Sequence, residues 1–289
     1  QIFARKLAEQ KAEGNSFFIY LSDSADSLAS CCRLRNEIID NTFSYTLGAG
    51  GVATGSINVI TLNMNRLVQD GRNLQEEIEK IQKYQVAYRK LMEDYKAQGA
   101  LSVYDAGFIS LDKQFLTIGI NGMVEAAEFS NIDIGNNQAY KDFVSSKLQV
   151  IYNANHAAKK EFGYMFNTEF VPAENLGVKN AKWDRKDGYK VNRDCYNSYF
   201  YLVESDDTNH LDKFVLHGQE IIQYLDGGSA LHLNLDEVLS TEAYIKLFNV
   251  AAATGCNYFC INVKITICNN CEKIDKRTLS YCSSCGSQD

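Results

Sequence analysis

The residues best suited to chemistry in this sequence are its cysteines, and two of them are adjacent. Cys31 and Cys32 lie in the stretch SCCRLRNE, among arginines and after a segment that is typical of a strand followed by a loop. A thiol in such a loop is reactive, metal-binding, redox-sensing or inert according to its surroundings. The residues by themselves leave these alternatives open.

Four further cysteines lie near the end of the sequence, at a spacing that is typical of metal-binding sites. Cys268, Cys271, Cys282 and Cys285 form a C-x2-C-x10-C-x2-C pattern, and two such knuckles bring four thiolates to a tetrahedral ion. Gly286 ends the second knuckle, where a positive φ turns backbone amides toward the sulfurs. The spacing predicts a structural zinc ribbon. An iron–sulfur site and four unliganded thiols are the rival interpretations.

The bulk composition excludes several classes of protein. The 289 residues carry a net charge of −7, which disfavours binding to a nucleic-acid polymer. No apolar run reaches the roughly 18 residues of a membrane helix, and no signal peptide is recognisable. Nine cysteines without a secretory signal indicate a reducing cytosol. Cys256 and Cys260 are expected to be buried, unbridged thiols on one face of a strand, and Cys195 is ambiguous.

Short apolar runs alternate with longer helical patterns, which predicts an α/β fold, as an open sheet or a barrel. Strands are expected at 17–21, 57–62, 116–120, 199–203, 231–235 and 258–263, and helices at 66–97, 139–160 and 241–254. Gly255 is the expected stop of the last helix. In the 66–97 helix, an apolar stripe is expected to face the core. That stripe consists of Leu67, Leu74, Ile78, Ile81, Tyr88, Leu91 and Tyr95.

Several sequence blocks occur in an order that resembles one enzyme family. SCCRLRNE is followed by TLGAGGVATGSINVITLN, GINGMVEAA, VPAENLGVKNAKWDRKDGY, CYNSYFYLV, GGSALHLNL, NYFCIN and the four-cysteine pattern. In this order the blocks resemble the anaerobic, class III ribonucleoside-triphosphate reductases, which are glycyl radical enzymes. The chain starts as if within a helix and stops after the cysteines, so we expect a piece of a longer polypeptide, its C-terminal portion.

The resemblance implies a fold and a mechanism. Residues 1–263 would be part of a ten-stranded α/β barrel with a finger loop near 22–56, and residues 264–289 would be the zinc ribbon. Cys32, which precedes an arginine, would carry the thiyl radical that abstracts the ribose 3′ hydrogen; Cys31 is its neighbour and the alternative. The radical would be stored on a glycine beyond residue 289, installed by an activase that uses S-adenosylmethionine and an iron–sulfur cluster.

The resemblance also implies ligands and partners. Ala173, Glu174 and Asn175 are expected to bind substrate, although Pro172 and Glu174 would equally suit the first turn of a helix. Ser56 takes the position where some members carry a substrate-side asparagine. The Gly227–Ser229 segment would approach the ligand or form a tight turn.

The expected partners follow from the same family. They are a ribonucleotide substrate, the activase, nucleotide effectors (ATP, dATP or other dNTPs) bound through other parts of the protein, and a second copy of the chain. Formate-dependent members show GRNNLGVVTLN where this chain shows ATGSINVITLN. Formate and a thioredoxin-like protein therefore compete as the electron donor.

Two other functions are compatible with the same features. Formate-lyase-type glycyl radical enzymes also place a cysteine pair on a loop, but they lack a terminal four-cysteine ribbon. A zinc-ribbon interaction domain without catalysis would not need the ordered family blocks. The chain by itself is expected to have no turnover, because it would hold one half of an active site.

Overall fold

The computed structural model describes most of the chain. Four of the candidate site residues, Cys31, Cys32, Ala173 and Glu174, lie outside the described residues. The described residues are 2–21, 55–170, 175–202 and 209–288, together with the backbone of two short strands at 27–29 and 35–37.

The chain divides into two compact units. The unit that we call the terminal unit comprises Gln1–Leu21, Val203–Gln219 and Ala230–Asp289. The central unit comprises Ser22–Leu202 and Glu220–Ser229. The sequence predicts a domain boundary near residue 264, between a barrel and a zinc ribbon. This boundary stays a prediction.

Helices and strands alternate along the chain, as the sequence pattern predicts. None of the helices in the described ranges is long and apolar enough to cross a membrane. The helices are α1 (Ile2–Ala12), α2 (Met64–Gln69), α3 (Leu74–Ala97), α4 (Ser102–Asp105), α5 (Met123–Phe129), α6 (Gln138–Phe162), α7 (Leu176–Lys186), α8 (His210–Leu216), α9 (Gln219–Ile222) and α10 (Thr241–Thr254). The strands are β1 (Phe18–Tyr20), β2 (Ser27–Ala29), β3 (Arg35–Glu37), β4 (Gly55–Asn63), β5 (Gln114–Asn121), β6 (Met165–Phe170), β7 (Leu231–Leu235), β8 (Tyr258–Val263), β9 (Thr266–Ile267) and β10 (Ile274–Asp275).

The central unit is built on a parallel sheet with the order β4-β5-β6. Leu116, Ile118 and Ile120 alternate along β5 and are fully buried on one face. Leu116 packs with Val86 of α3 and Ala158 of α6 in one apolar cluster. Because side chains alternate between the two faces of a strand, the intervening residues of β5 point away from these helices.

Polar side chains also join the helices to this sheet. The Gln82 amide donates to Asn155 Oδ1 (2.9 Å), and the Asn155 amide donates to Thr168 Oγ1 on β6 (2.8 Å). The Gln85 amide donates to the carbonyl of Thr117 (2.7 Å). The helix layer is therefore fixed to the sheet by directional bonds as well as by apolar contact.

The helix predicted over 66–97 is two helices, and its predicted core stripe is partly wrong. Gly71 takes φ +62, and Asn73 starts α3 by accepting from the Gln75 N–H (3.0 Å). Tyr88, Leu91 and Tyr95 are exposed by 37%, 43% and 43%. The buried positions of α3 are Ile78, Gln82, Gln85, Val86 and Arg89.

The polar groups on the buried face of α3 reach partners, which explains the difference from the predicted stripe. Arg89 donates to the Leu111 carbonyl and forms ion pairs with Glu93 (3.0 Å) and Asp112 (3.1 Å). Gln85 bonds the backbone of β5, as described above. Hydrophobic periodicity does not account for such bonds, so it assigned Tyr88, Leu91 and Tyr95 to the core, whereas Ile78 is buried as predicted.

Two strand predictions also differ from the structure. Residues 199–201 form a bend in which all three aromatic side chains are buried, and the Tyr140 hydroxyl donates to the Phe200 carbonyl. Strand β6 was not predicted, because Asn167, Thr168 and Glu169 interrupt its apolar pattern. The other predicted strands and helices are confirmed within a few residues, and Gly255 ends α10 with φ +76.

The terminal unit is built on a mixed sheet in which β8 is parallel to β7 and antiparallel to β1. Leu231, Leu233, Phe259 and Ile261 are fully buried and share one face of this sheet. Helix α1 contacts α10, and its Lys11 donates from Nζ to the Ile261 carbonyl (2.6 Å). Burial lowers the pKa of Lys11.

Candidate functional site

The four terminal cysteines converge as their spacing predicts. Their Sγ atoms all lie within 4.8 Å of one another. The Sγ–Sγ distances are 3.6 Å between Cys268 and Cys285 and 3.5 Å between Cys271 and Cys282, so none of these pairs is a disulfide. Four convergent thiols without a carboxylate or an imidazole form a closed ligand set that suits a soft or borderline ion such as Zn²⁺.

The two cysteine knuckles repeat one backbone geometry. The Glu272 N–H donates to the Cys268 carbonyl (2.9 Å), and the Gly286 N–H donates to the Cys282 carbonyl (3.0 Å). Glu272 and Gly286 both take left-handed conformations, with φ +57 and +72, which confirms the expectation for Gly286. The Ser287 N–H lowers the pKa of Cys285 to about 6. Backbone amides thus favour the thiolate form that a metal requires.

The segment around the cysteines has little apolar packing of its own. Ile265, Ile267, Ile274 and Tyr281 are exposed by 48%, 55%, 56% and 58%, and strands β9 and β10 pair over two residues each. A segment with so small a core depends on its cross-link, so a bound ion would contribute directly to its stability.

A polar row crosses the face of the parallel sheet that points away from α3 and α6. Ser56 Oγ lies within hydrogen-bond distance of Thr117 Oγ1, and the Thr117 hydroxyl donates to Asn167 Oδ1 (2.6 Å). Thr117 has one hydroxyl proton, which is committed to Asn167, so Ser56 must be the donor to Thr117. The lone pairs of Ser56 Oγ remain available as acceptors, and Ser56 is the partly exposed end of the row.

The same face carries a buried carboxylate and a buried amide further along the strands. Glu169 of β6 is 6% exposed, and Asn121 of β5 is fully buried. Asn121 accepts at Oδ1 from the Asn180 amide (2.8 Å) and donates to the Asn197 carbonyl (3.1 Å). Sequence reasoning missed Glu169 as a candidate, because it did not predict β6. The signal was present as an acidic residue two positions before the VPAEN block.

A network around Asp184 fixes the carboxyl edge of this sheet. The Asp184 side chain is fully buried. It accepts from the Asn63 amide (2.9 and 3.0 Å), Arg66 Nε (2.7 Å) and the Tyr196 hydroxyl (2.8 Å). Asn63 ends β4, Arg66 lies on α2 and Asp184 lies on α7. Burial raises the pKa of Tyr196, whose hydroxyl stays a donor as a result.

Asn175 immediately precedes α7 and takes φ +63, a left-handed conformation that asparagine tolerates. The carbonyl of Asn175 accepts from the Lys179 N–H (2.9 Å). Ser56 lies near the amino end of β4, whereas α7 is bonded to the last residues of β4 and β5. The structure therefore places Ser56 and Asn175 toward opposite ends of the sheet and does not gather them at one point.

The glycine turn before β7 is a tight packing turn on β6. The Gly227 N–H donates to the Thr168 carbonyl (2.9 Å). A Cβ at Gly227 would lie 2.7 Å from the Thr168 carbonyl oxygen and 3.1 Å from the Asn167 amide nitrogen. Asp226 beside it accepts from the Thr168 N–H (2.8 Å), and burial raises the pKa of Asp226 to about 6. The tight turn expected for this segment is thus observed, and its approach to the ligand stays a prediction.

The remaining described cysteines are unbridged, as predicted. Cys256 is fully buried with its Sγ 3.6 Å from His217 Nδ1, and burial raises its pKa to about 12. Cys260 is also buried, and Cys195 is exposed. Cys256 precedes β8, so the expectation that Cys256 and Cys260 share one face of a strand is wrong.

Solved structures resemble this chain over nearly its whole length. The crystal structure of the anaerobic ribonucleotide reductase from Thermotoga maritima in complex with dATP and CTP is 27% identical, with a TM-score of 0.79, and the match covers 98% of this chain and 48% of that one. The structure of the same reductase with MES in the active site is 26% identical, with a TM-score of 0.81 and coverages of 99% and 49%. An anaerobic ribonucleotide reductase that is 24% identical, with a TM-score of 0.80 and coverages of 99% and 46%, shows the same fold.

The chain thus spans about half the length of the solved structures that it matches. No curated protein matches it significantly. A family model described as anaerobic ribonucleoside-triphosphate reductase matches residues 3–289. The predicted α/β class and the predicted resemblance are confirmed, and this chain belongs to the anaerobic ribonucleoside-triphosphate reductase family.

Proposed function

We propose that this chain supplies part of the catalytic machinery of an anaerobic reductase that converts ribonucleoside triphosphates to 2′-deoxyribonucleotides in the cytosol. The observation that carries the proposal is the family match over residues 3–289. The convergent terminal thiols support it over a formate-lyase-type enzyme, which lacks such a ribbon.

Cys32 is the proposed hydrogen-abstracting residue, with Cys31 as the alternative; both lie outside the described residues. The thiyl radical takes the hydrogen atom from ribose C3′, which forms an S–H bond and leaves a carbon radical. The 2′ hydroxyl then takes up a proton and leaves as water. The electron donor gives two electrons, which with a second proton place a hydrogen on C2′; formate would be oxidised to carbon dioxide, and a redoxin dithiol to a disulfide. Return of the hydrogen atom to C3′ regenerates the thiyl radical. The reversible exchange works because S–H and ribose C–H bonds are close in strength.

The initial radical and the electrons come from outside residues 1–289. A glycine elsewhere in the reductase stores the radical, which an activase with S-adenosylmethionine and an iron–sulfur cluster installs. Formate and a thioredoxin-like protein are the two candidate donors, and the sequence around Ser56 departs from the formate-dependent pattern.

The substrate is proposed to extend along the polar face of the parallel sheet. Ser56 Oγ offers acceptor lone pairs at the amino end of β4. The segment Ala173, Glu174 and Asn175 leads into the amino end of α7, where backbone N–H groups suit phosphate oxygens.

Zinc is the proposed ion of the four-cysteine site. The closed tetrathiolate set leaves no open position, so the ion cross-links the chain and takes no part in the reaction. Nucleotide effectors are proposed to bind through parts of the reductase other than this chain.

Changing the two adjacent cysteines separately in the complete, activated reductase tests the radical assignment. Cys32→Ser should abolish deoxyribonucleotide formation, because a hydroxyl does not form the required radical, whereas Cys31→Ser should retain most of it. The glycyl radical, measured by electron paramagnetic resonance, should form in both variants and serves as the control for activation. Full activity in Cys32→Ser with loss in Cys31→Ser would move the role to Cys31, and activity in both would refute it.

Removing the hydroxyl of Ser56 tests the proposed substrate face. In Ser56→Ala, kcat/KM for the ribonucleotide should fall about tenfold, the usual effect of one lost hydrogen bond. Ser146→Ala on the exposed side of α6 is the matched control, since its hydroxyl bonds only the local helix backbone. Equal kcat/KM values for Ser56→Ala and the unchanged enzyme would contradict the assignment.

Metal analysis of the purified chain tests the zinc proposal. We expect one zinc per chain by mass spectrometry, and loss of that zinc with a lowered melting temperature in Cys282→Ser. Cys195→Ser removes an exposed cysteine that is not part of the cluster and should leave the zinc content unchanged. Iron in place of zinc, or full zinc retention in Cys282→Ser, would be incompatible with the proposal.

A further inference from the structure

The polar row of Ser56, Thr117 and Asn167 crosses the three strands of the parallel sheet in the central unit. Ser56 lies on β4, Thr117 on β5 and Asn167 on β6. The Ser56 hydroxyl donates to Thr117 Oγ1, and the Thr117 hydroxyl donates to Asn167 Oδ1 (2.6 Å). Each hydroxyl has a single proton, so the direction of one bond fixes the direction of the next. The row is therefore polarised from Ser56 toward Asn167.

The Asn167 end of the row is closed. Asn167 is 1% exposed, and Thr117 is fully buried. The turn at Gly227 packs so closely on this end that a Cβ on Gly227 would lie 3.1 Å from the Asn167 amide nitrogen. Ser56, by contrast, is partly exposed. Of the three residues in the row, Ser56 is thus the one that a ligand can reach.

The amide nitrogen of Asn167 is buried and has no hydrogen-bond partner in the described part of the chain. An unpaired buried donor costs free energy, and a leucine of nearly the same shape would avoid that cost. A row that served only to join the strands would not need an amide at this position. What the asparagine adds is the acceptor Oδ1, which receives the Thr117 proton and so sets the polarity of the row.

A β-bulge lies at the open end of the row. The ladder between β4 and β5 shifts register between Ser56 and Asn58, and beyond the shift Thr117 is paired with Val59. Bulges re-aim side chains and are common beside functional sites. The hydroxyl that donates to Thr117 comes from Ser56, before the bulge, and not from the residue paired with Thr117. The sheet is therefore locally adapted to present Ser56.

The polarity of the row determines what Ser56 can bind. Its proton is directed to Thr117, so Ser56 Oγ offers lone pairs to a ligand. A sugar hydroxyl can donate to such an acceptor, whereas ionised phosphate and carboxylate oxygens have no proton to donate. Turning the Ser56 hydroxyl toward an anionic oxygen would sacrifice its bond to Thr117. The row thus favours a sugar hydroxyl over an anion at this end of the sheet.

We propose that Thr117 and Asn167 are positioning residues that hold Ser56 Oγ as the acceptor for a ribose hydroxyl of the substrate. Both are buried and act through Ser56, without contact to the substrate. The inference rests on the proposed function, because it takes a ribonucleotide as the ligand of the polar face. It adds the chemical group that this end of the face selects.

Binding of CTP and two analogues to the complete reductase, without its radical, tests the polarity of the row. The 2′-fluoro-2′-deoxy and 3′-fluoro-3′-deoxy analogues each replace one hydroxyl by a group that cannot donate. In calorimetry, at least one analogue should bind roughly tenfold more weakly than CTP, which identifies the hydroxyl that Ser56 contacts. Equal dissociation constants for CTP and both analogues would overturn the inference.

Two substitutions of Thr117 and one control assign this preference to the row. Thr117→Val keeps the shape but frees the Ser56 proton to turn toward the ligand, so the preference for CTP should shrink about tenfold; Thr117→Ser should restore it. Thr168→Val is the matched control, because Thr168 Oγ1 accepts from the Asn155 amide on the helix side of the sheet (2.8 Å). It should lower the melting temperature and leave the preference unchanged. A preference that persists in Thr117→Val, or shrinks equally in Thr168→Val, would refute the positioning role.

Asn167→Leu separates positioning from stability. Leucine removes both the acceptor for Thr117 and the unpaired amide nitrogen. Thr117 can then donate to Ser56, so the preference for CTP should shrink while the melting temperature stays close to that of the unchanged enzyme. A lower melting temperature with an unchanged preference would mean that Asn167 is structural only, and the inference would fail. If the unchanged reductase does not bind CTP at all, the proposed function fails, and the positioning role fails with it.

Discussion

The buried carboxylate of Asp184 is the interaction on which the candidate site depends. It accepts hydrogen bonds from Asn63 at the end of β4, from Arg66 on α2 and from Tyr196 in the segment that follows α7. Because Asp184 lies on α7, it also fixes the helix whose amino end follows the VPAEN segment. Breaking a buried ion pair by removing one partner typically costs about 3–5 kcal/mol. This polar anchor lies on the helix that follows the segment proposed to bind substrate, nine residues after Asn175.

Hydrophobic pattern located β5, β7 and β8, whose apolar side chains are buried, but it also predicted a strand at 199–203, where the buried aromatic residues form a bend. Strands β7 and β8 have the predicted bounds. The pattern failed where buried polar groups are satisfied by specific bonds. Strand β6 carries Asn167, Thr168 and Glu169 in its interior, and α3 buries Arg89 while it exposes Tyr88. Such bonds form between segments far apart in the chain, so no local window of sequence reveals them.

The sequence predicted the four-cysteine cluster better than it predicted the arrangement of the proposed substrate-binding residues. The four-cysteine spacing encodes a local geometry, and the structure brings Cys268 and its three partners together as expected. Ser56 was chosen by resemblance, and the structure adds that it ends a directional hydroxyl row through Thr117. Asn175 came from the same resemblance, yet it lies toward the other end of the sheet. The separation depends on strand direction and on the bonds of α7, which the sequence blocks do not encode.

The central claim is that a cysteine of this chain abstracts the ribose 3′ hydrogen in a complete anaerobic reductase. The most direct measurement compares ribonucleoside triphosphate carrying deuterium at C3′ with the unlabelled substrate, in competition, under anaerobic conditions. The account predicts a lower kcat/KM for the 3′-deuterated substrate and no such difference when deuterium is at C5′. Equal rates for the 3′-labelled and unlabelled substrates, with an isotope effect at another carbon, would contradict it.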